Sequence, residues 1–149
     1  MGPAPLFCYN GIMKVTPLKQ LSVFMPNRPG ALSRLAQLFS EKGVNMLGIA
    51  SEVRDDSGMV RIAVDAKSDV SSILSQNGFA SVETSVLSVE VENKAGELFK
   101  LTRILADAKL NITTVYGTSA EGPYCRLLVA VENVPKALAL LEKAYAVES

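Results

Sequence analysis

Apolar and polar residues alternate over 19–25: Leu21, Val23 and Met25 share one side, Gln20, Ser22 and Phe24 the other. A period of two predicts a strand. From residue 30 the period lengthens. Leu32, Leu35, Leu38 and Phe39 form one stripe, with Arg34, Gln37 and Glu41 opposite, which predicts an amphipathic helix over about 30–42. Gly43 stops it as the residue after the C-cap. Two apolar runs, 45–53 and 59–65, flank the polar stretch 54–58 and predict a hairpin. Asp55 and Asp56 fall in that turn, where Asp, Ser and Gly are the usual residues, and read as solvated rather than catalytic. A helix over about 69–77 and a strand over 80–86 follow.

The same order then returns. Leu87, Val89 and Val91 oppose Ser88, Glu90 and Glu92 in a strand, and a helix over about 97–109 is expected to bury Leu98, Leu101, Ile104, Leu105 and Ala108. A hairpin spans 112–131 around 119–123, and a helix spans 134–144 with Pro135 in its first turn. The repeat is in register. Asn27, Gly30, Leu32, Leu35 and Asn45 each recur 66 residues later as Asn93, Gly96, Leu98, Leu101 and Asn111. An insertion-free offset across a strand, loop, helix and strand marks an internal duplication.

Each copy reads strand, helix, strand, strand, helix, strand. The fold class is therefore α+β, with two ferredoxin-like modules, each an antiparallel sheet with helices on one face. The divisions are an N-terminal extension at 1–18, a first module at 19–86 and a second at 87–149. Two conflicts appear at the edges. Val82, Thr84 and Val86 alternate on even numbers and Leu87, Val89 and Val91 on odd ones, so a bend, bulge or crossover is expected near 86–87. The second copy also lacks residues for its closing strand. Its open edge calls for cover from the N-terminal extension or a partner chain.

Composition narrows the chemistry. Apolar residues make up 48% of 149 residues, enough for a packed core. Lys plus Arg balances Asp plus Glu at 15 each, which argues against a nucleic-acid or anionic-membrane surface. No apolar run is long enough for a transmembrane helix, and no signal peptide is evident, so a cytoplasmic setting is expected. The chain has no histidine, and its two cysteines, Cys8 and Cys125, have no metal-ligand spacing. Ser-His and Cys-His nucleophiles are excluded. No catalytic residue, metal or cofactor is expected, and the chain does not read as an enzyme.

What remains is the recurring loop, 27–32 and 93–98. A helix start offers unpaired N–H groups and a partial positive charge, which suit a carboxylate. Gly30 and Gly96 permit close backbone approach. Asn27 and Asn93 can both donate and accept. A plainer reading makes each Asn a helix cap and each Gly a bend. Capping alone accepts Ser, Thr or Asp, so retention of both Asn and Gly in two copies favours a ligand.

With residues 21–32 and then Glu41, Lys42, Gly43, Val44, Asn45 and Met46, the first copy resembles an ACT domain; the second copy resembles one more loosely. The resemblance covers about 19–149. It implies a stand-alone tandem of regulatory modules that bind a small amino acid where modules pair edge to edge, form a homodimer through those edges, and act on a partner enzyme. In ACT domains resembling the serine-sensing module of phosphoglycerate dehydrogenase, the loop Asn and Gly hold the ligand and a second Asn of a neighbouring module completes the site. Carried over, this gives Asn27, Gly30 and Ala31 with Asn111, and Asn93 and Gly96 with Asn45. That pattern also has a His where this chain has Met25 and Val91, which favours a less polar amino acid. Met25, Met46, Leu47 and Ile49 are candidate lining for its side chain, although their default role is core packing. A second reading is a ligand-free interaction module, or a small regulatory subunit such as that of acetolactate synthase, which opens with a similar run.

Overall fold

The computed structural model describes residues 12–118 and 121–146. The expected packing of 6–11 lies outside them. Ten elements follow in order: β1 (Ile12–Pro26), α1 (Ala31–Glu41), β2 (Gly48–Arg54), β3 (Ser57–Asp65), α2 (Val70–Gln76), β4 (Ala80–Glu92), α3 (Glu97–Asp107), β5 (Ile112–Thr118), β6 (Tyr124–Val131) and α4 (Val134–Ala146). They divide into two compact units, Leu18–Ser85 and Val86–Ser149 with Met1–Pro17. Both boundaries fall inside strands, in β1 and in β4.

In the first unit the strand order is β2-β3-β1-β4, the ferredoxin-like arrangement. Antiparallel pairing sets Leu21 opposite Ile62 and Val23 opposite Val60. The period of two then sends these four, with Val64, to one face. Against that face pack Leu35, Leu38 and Phe39 of α1, Val70 and Leu74 of α2, and Phe79. β2 is mostly exposed.

In the second unit β4 lies between β1 and β6, and β5 closes the far side. Leu87, Val89 and Val91 of β4 meet Val129 and Val131 of β6, Leu101 and Leu105 of α3, and Ala137 and Leu141 of α4. Val15 packs against this core. Residues 12–17 of β1 thus stand where the second copy lacks a closing strand, and β1 is longer than its alternating pattern indicated. A register shift between Ile112 and Thr114 marks a bulge in the β5–β6 pair.

Two expectations fail. β4 is one strand, and its pairing with β6 is regular from Leu87 opposite Val129 to Glu92 opposite Tyr124. No crossover separates the two alternations, since one strand carries both. Val86, Leu87, Ser88 and Val89 are all buried, so both faces of β4 are covered there and both patterns are satisfied at once. Leu32 and Leu98 are the second exception. Both are exposed, because the buried stripes of α1 and α3 begin one turn later, at Leu35 and Leu101.

Candidate functional site

β1 ends at Pro26 and α1 begins at Ala31, so residues 27–30 turn the chain from sheet to helix. Asn27 fixes that turn. Its backbone N–H donates to the Asp56 carbonyl at 2.9 Å and its side-chain Nδ2 to the Asp55 carbonyl at 3.0 Å. The loop is tied to the β2–β3 turn, and Asn27 caps nothing. The N-cap is Gly30, in the left-handed region at φ 87°, with no side-chain cap. A Cβ there would meet nothing within 4 Å, so backbone conformation and not crowding demands glycine. Of the first-turn N–H groups of α1, that of Ala31 donates to the Arg28 carbonyl at 3.3 Å and that of Arg34 to the Gly30 carbonyl at 2.9 Å, which leaves those of Leu32 and Ser33 for an external acceptor.

The second copy repeats this geometry. The Asn93 N–H donates to the Pro123 carbonyl at 2.8 Å and its Nδ2 to the Gly122 carbonyl at 3.2 Å. Gly96 caps α3 at φ 96°. The plain capping role of the asparagines is therefore replaced by a clamp role, which leaves the Asn27 Oδ1 as that side chain's acceptor.

The second pair of asparagines lies elsewhere. Asn45 is exposed, beyond the far end of α1, and Asn111 is exposed, just ahead of β5. An 11-residue helix spans about 16 Å. Within one unit the structure brings neither Asn27 to Asn45 nor Asn93 to Asn111. Of the apolar candidates, Met25 lines the cavities at the loop; Met46, Leu47 and Ile49 do not.

Three hollows surround the first loop. One of about 290 Å³ is lined by Arg28, Gly30, Ala31, Arg34, Gly78 and Phe79. A smaller one of about 130 Å³ takes in Asn27, Ala31 and Leu32. The largest, about 660 Å³, opens over Phe24, Met59 and Arg61 of the sheet. It offers no helix start, and Arg61 is already paired with Glu52 at 3.3 Å. The 290 Å³ hollow brings two arginines to the α1 start, and Asn27 does not line it. Arg34 is held there by its Nη2–H donating to the Asn77 carbonyl at 3.1 Å, with the guanidinium 4.6 Å over the Phe79 ring.

At the second loop the charges differ. Lys94, Glu97 and Lys100 stand 66 residues after Arg28, Ala31 and Arg34. Lys94 pairs with Glu92 at 2.6 Å, and the Glu97 Oε1 accepts from Lys100 at 3.2 Å. Glu92, and then Glu97, hold the Lys94 pKa above its usual value. Arg28, Arg34 and Glu97 were not among the sequence candidates, although the same offset aligns them.

Among the described residues no three His, Cys, Asp or Glu side chains are grouped to hold a metal ion. No helix of the described residues is long and apolar enough to cross a membrane.

The ACT domain family matches the chain twice, at residues 19–77 and 85–144. The chain belongs to the ACT domain family. Its two ACT modules carry the two loops described above. The tandem is 29% identical over 96 residues to an acetolactate synthase small subunit of Mycolicibacterium smegmatis, covering 62% of this chain and 56% of the relative. It thus spans a little over half the length of that relative. Among solved structures, protein BT0572 from Bacteroides thetaiotaomicron is similar with a TM-score of 0.79 and 22% identity, over 87% of this chain and 90% of that one. The regulatory subunit of aspartate kinase from Thermus thermophilus, in a ligand-free form, gives a TM-score of 0.65 and 14% identity, over 92% and 98%. At these identities the likeness establishes the shared tandem ACT fold.

Proposed function

We propose that the protein is a non-catalytic sensor of a small amino acid that regulates a separate enzyme of amino-acid metabolism. One observation carries this reading: an uncapped helix start behind a left-handed glycine, held open by an asparagine clamp and built twice. The ligand carboxylate accepts from the N–H groups of Leu32 and Ser33 at the α1 start, where the helix dipole favours an anion. The Asn27 Oδ1 accepts from its ammonium. Gly96 and Asn93 offer the same arrangement in the second copy. Asn45 and Asn111, each a helix length from its own loop, join a ligand only when contributed by another copy of the module. Family membership and the regulatory relatives support the class of function.

Thermal-shift measurement against the twenty amino acids tests the reading, since a ligand that binds only the folded chain raises the midpoint. Calorimetry then locates the site. Asn27→Ala is expected to weaken binding about tenfold to a hundredfold and to cost about 1 kcal/mol of stability through the lost clamp. Unchanged affinity in both Asn27→Ala and Asn93→Ala would place the ligand elsewhere.

Self-association is the second part of the proposal. Leu32 and Leu98 are 45% and 48% exposed, and Ile49 and Val115, on the edge strands β2 and β5, 48% and 45%. Apolar residues left open at equivalent places in both copies fit an interface with a second chain through the module edges. Ile49→Lys is expected to weaken the dimer at least about tenfold in sedimentation equilibrium; equal association in variant and parent would refute that surface.

The match to an acetolactate synthase small subunit favours a second reading, in which the chain binds a catalytic subunit and holds no ligand. Retention of a purified catalytic subunit by the immobilised chain, with no thermal shift from any amino acid, selects it.

A further inference from the structure

The two loops share one backbone but differ in charge. In the second, a carboxylate is built in. Glu97 is the first residue of α3, at the helix's positive end, and only 3% exposed. Its Oε1 accepts from Lys100 at 3.2 Å and lies 3.7 Å from Lys94, while its Oε2 is buried with no hydrogen-bond partner. A buried carboxylate is costly unless paired, and here two cations and a helix start hold it.

The first copy keeps the cations and lacks the anion. Arg28 and Arg34 replace Lys94 and Lys100, and Ala31 replaces Glu97. α1 has no acidic residue in its first turn. Both arginines line the 290 Å³ hollow beside Gly30 and Ala31. The Arg28 guanidinium has no partner among the described residues, and the single bond Arg34 makes leaves four of its five N–H donors. The hollow thus has two guanidinium groups at the positions whose counterparts in the sister copy pair with a carboxylate.

We propose that Glu97 is an internal substitute for the ligand carboxylate, so the chain binds one amino acid where its duplication suggests two. The occupied site is the first loop, where Arg28 and Arg34 join the α1 start in holding the carboxylate. This rests on the amino-acid reading above and assigns its specificity-determining charges. Arginine suits the task, since its planar fork can take both carboxylate oxygens.

The test is a titration of the ¹⁵N-labelled full chain with sodium acetate and, separately, sodium phosphate at fixed ionic strength, followed by amide resonances. Acetate is expected to move the amides of Ala31, Leu32 and Ser33 saturably and to leave those of Glu97, Leu98 and Phe99 in place. Arg28→Ala is expected to raise the saturating concentration roughly tenfold. Glu97→Ala is expected to make the second set respond, whereas Glu97→Gln, which keeps the volume, leaves it closed. Retained spectral dispersion in both variants shows that the fold survives.

Response of both sets in the parent chain, response of neither, or no gain in Glu97→Ala overturns the proposal. Saturation by phosphate at lower concentration than by acetate overturns the assignment to a carboxylate. Calorimetry with the amino acid giving the largest thermal shift separates the two readings. Two amino acids per chain defeat the inference and leave the sensor intact; selective response to acetate with no amino acid bound defeats the sensor and leaves the anion site intact.

Discussion

Deletion of residues 1–17 is expected to destabilise the second unit and to leave the first folded. Of these, residues 12–17 belong with the unit that begins at Val86, and Val15 packs on the core formed by Leu87, Val89 and Val91. Losing Val15 from that core costs about 1–1.5 kcal/mol, since it is only half buried. Losing the ladder hydrogen bonds of the first stretch of β1 adds about 0.5–1.5 kcal/mol for each bond. Together these give roughly 3–5 kcal/mol, a large share of the ~5–15 kcal/mol that holds a typical domain. Hydrogen exchange read by mass spectrometry measures it directly. Amides in 86–131 are expected to lose protection, while those in 31–41 and 57–65 keep theirs. Equal protection with and without the segment would show that it contributes nothing.

Phe39→Ala is the most damaging single change expected in the first unit. Phe39 is the largest fully buried side chain and packs in one cluster with Leu21, Ile62 and Leu74. Removing the ring leaves a cavity that close-packed neighbours fill only in part, at a cost of about 3–5 kcal/mol. Phe39→Leu refills most of the space and is expected to cost only about 1–1.5 kcal/mol. Urea denaturation of the three proteins gives the difference. A loss below 1 kcal/mol in Phe39→Ala would mean that α1 is not anchored through its core stripe. Because α1 carries Gly30 and Ala31 at its start, the alanine variant is also expected to bind ligand less well than Phe39→Leu.

Periodicity carried most of the fold. The 66-residue offset, the alternation at Leu21, Val23, Leu87, Val89 and Val91, and the stripes through Leu35, Phe39, Leu101 and Leu105 all lie where the pattern placed them. Long-range pairing was less legible. The second copy's missing strand called for cover by the N-terminal extension or a partner chain, but Lys14, Thr16 and Pro17 give residues 12–17 no clear alternation, and only tertiary contact shows that they supply it. The join at Val86 and Leu87 looked like a fault because each alternation assumes one solvated face; β4 is covered on both.

At the site, Asn27 and Gly30 were visible as a motif, but the role of Asn27 depends on the Asp55 and Asp56 carbonyls, about 28 residues away, which no local pattern reports. Glu97 was hidden for a different reason. A charged residue at the start of a helix is ordinarily solvated and favourable to the dipole, so its burial between Lys94 and Lys100 has no signature in one copy alone.

The placement of residues 12–17 also sets a timetable for synthesis. The ribosome makes them well before the unit they complete, which begins at Val86, about seventy residues later. At ~5–20 residues per second the segment waits roughly 4–14 s for β4 to emerge. That interval is the time in which Leu18–Ser85 is made, so the first unit is completed just before β4 extends into the second. Through that interval the nascent chain carries an unmatched strand end, open to pairing with neighbouring chains on the same message and to chaperone capture.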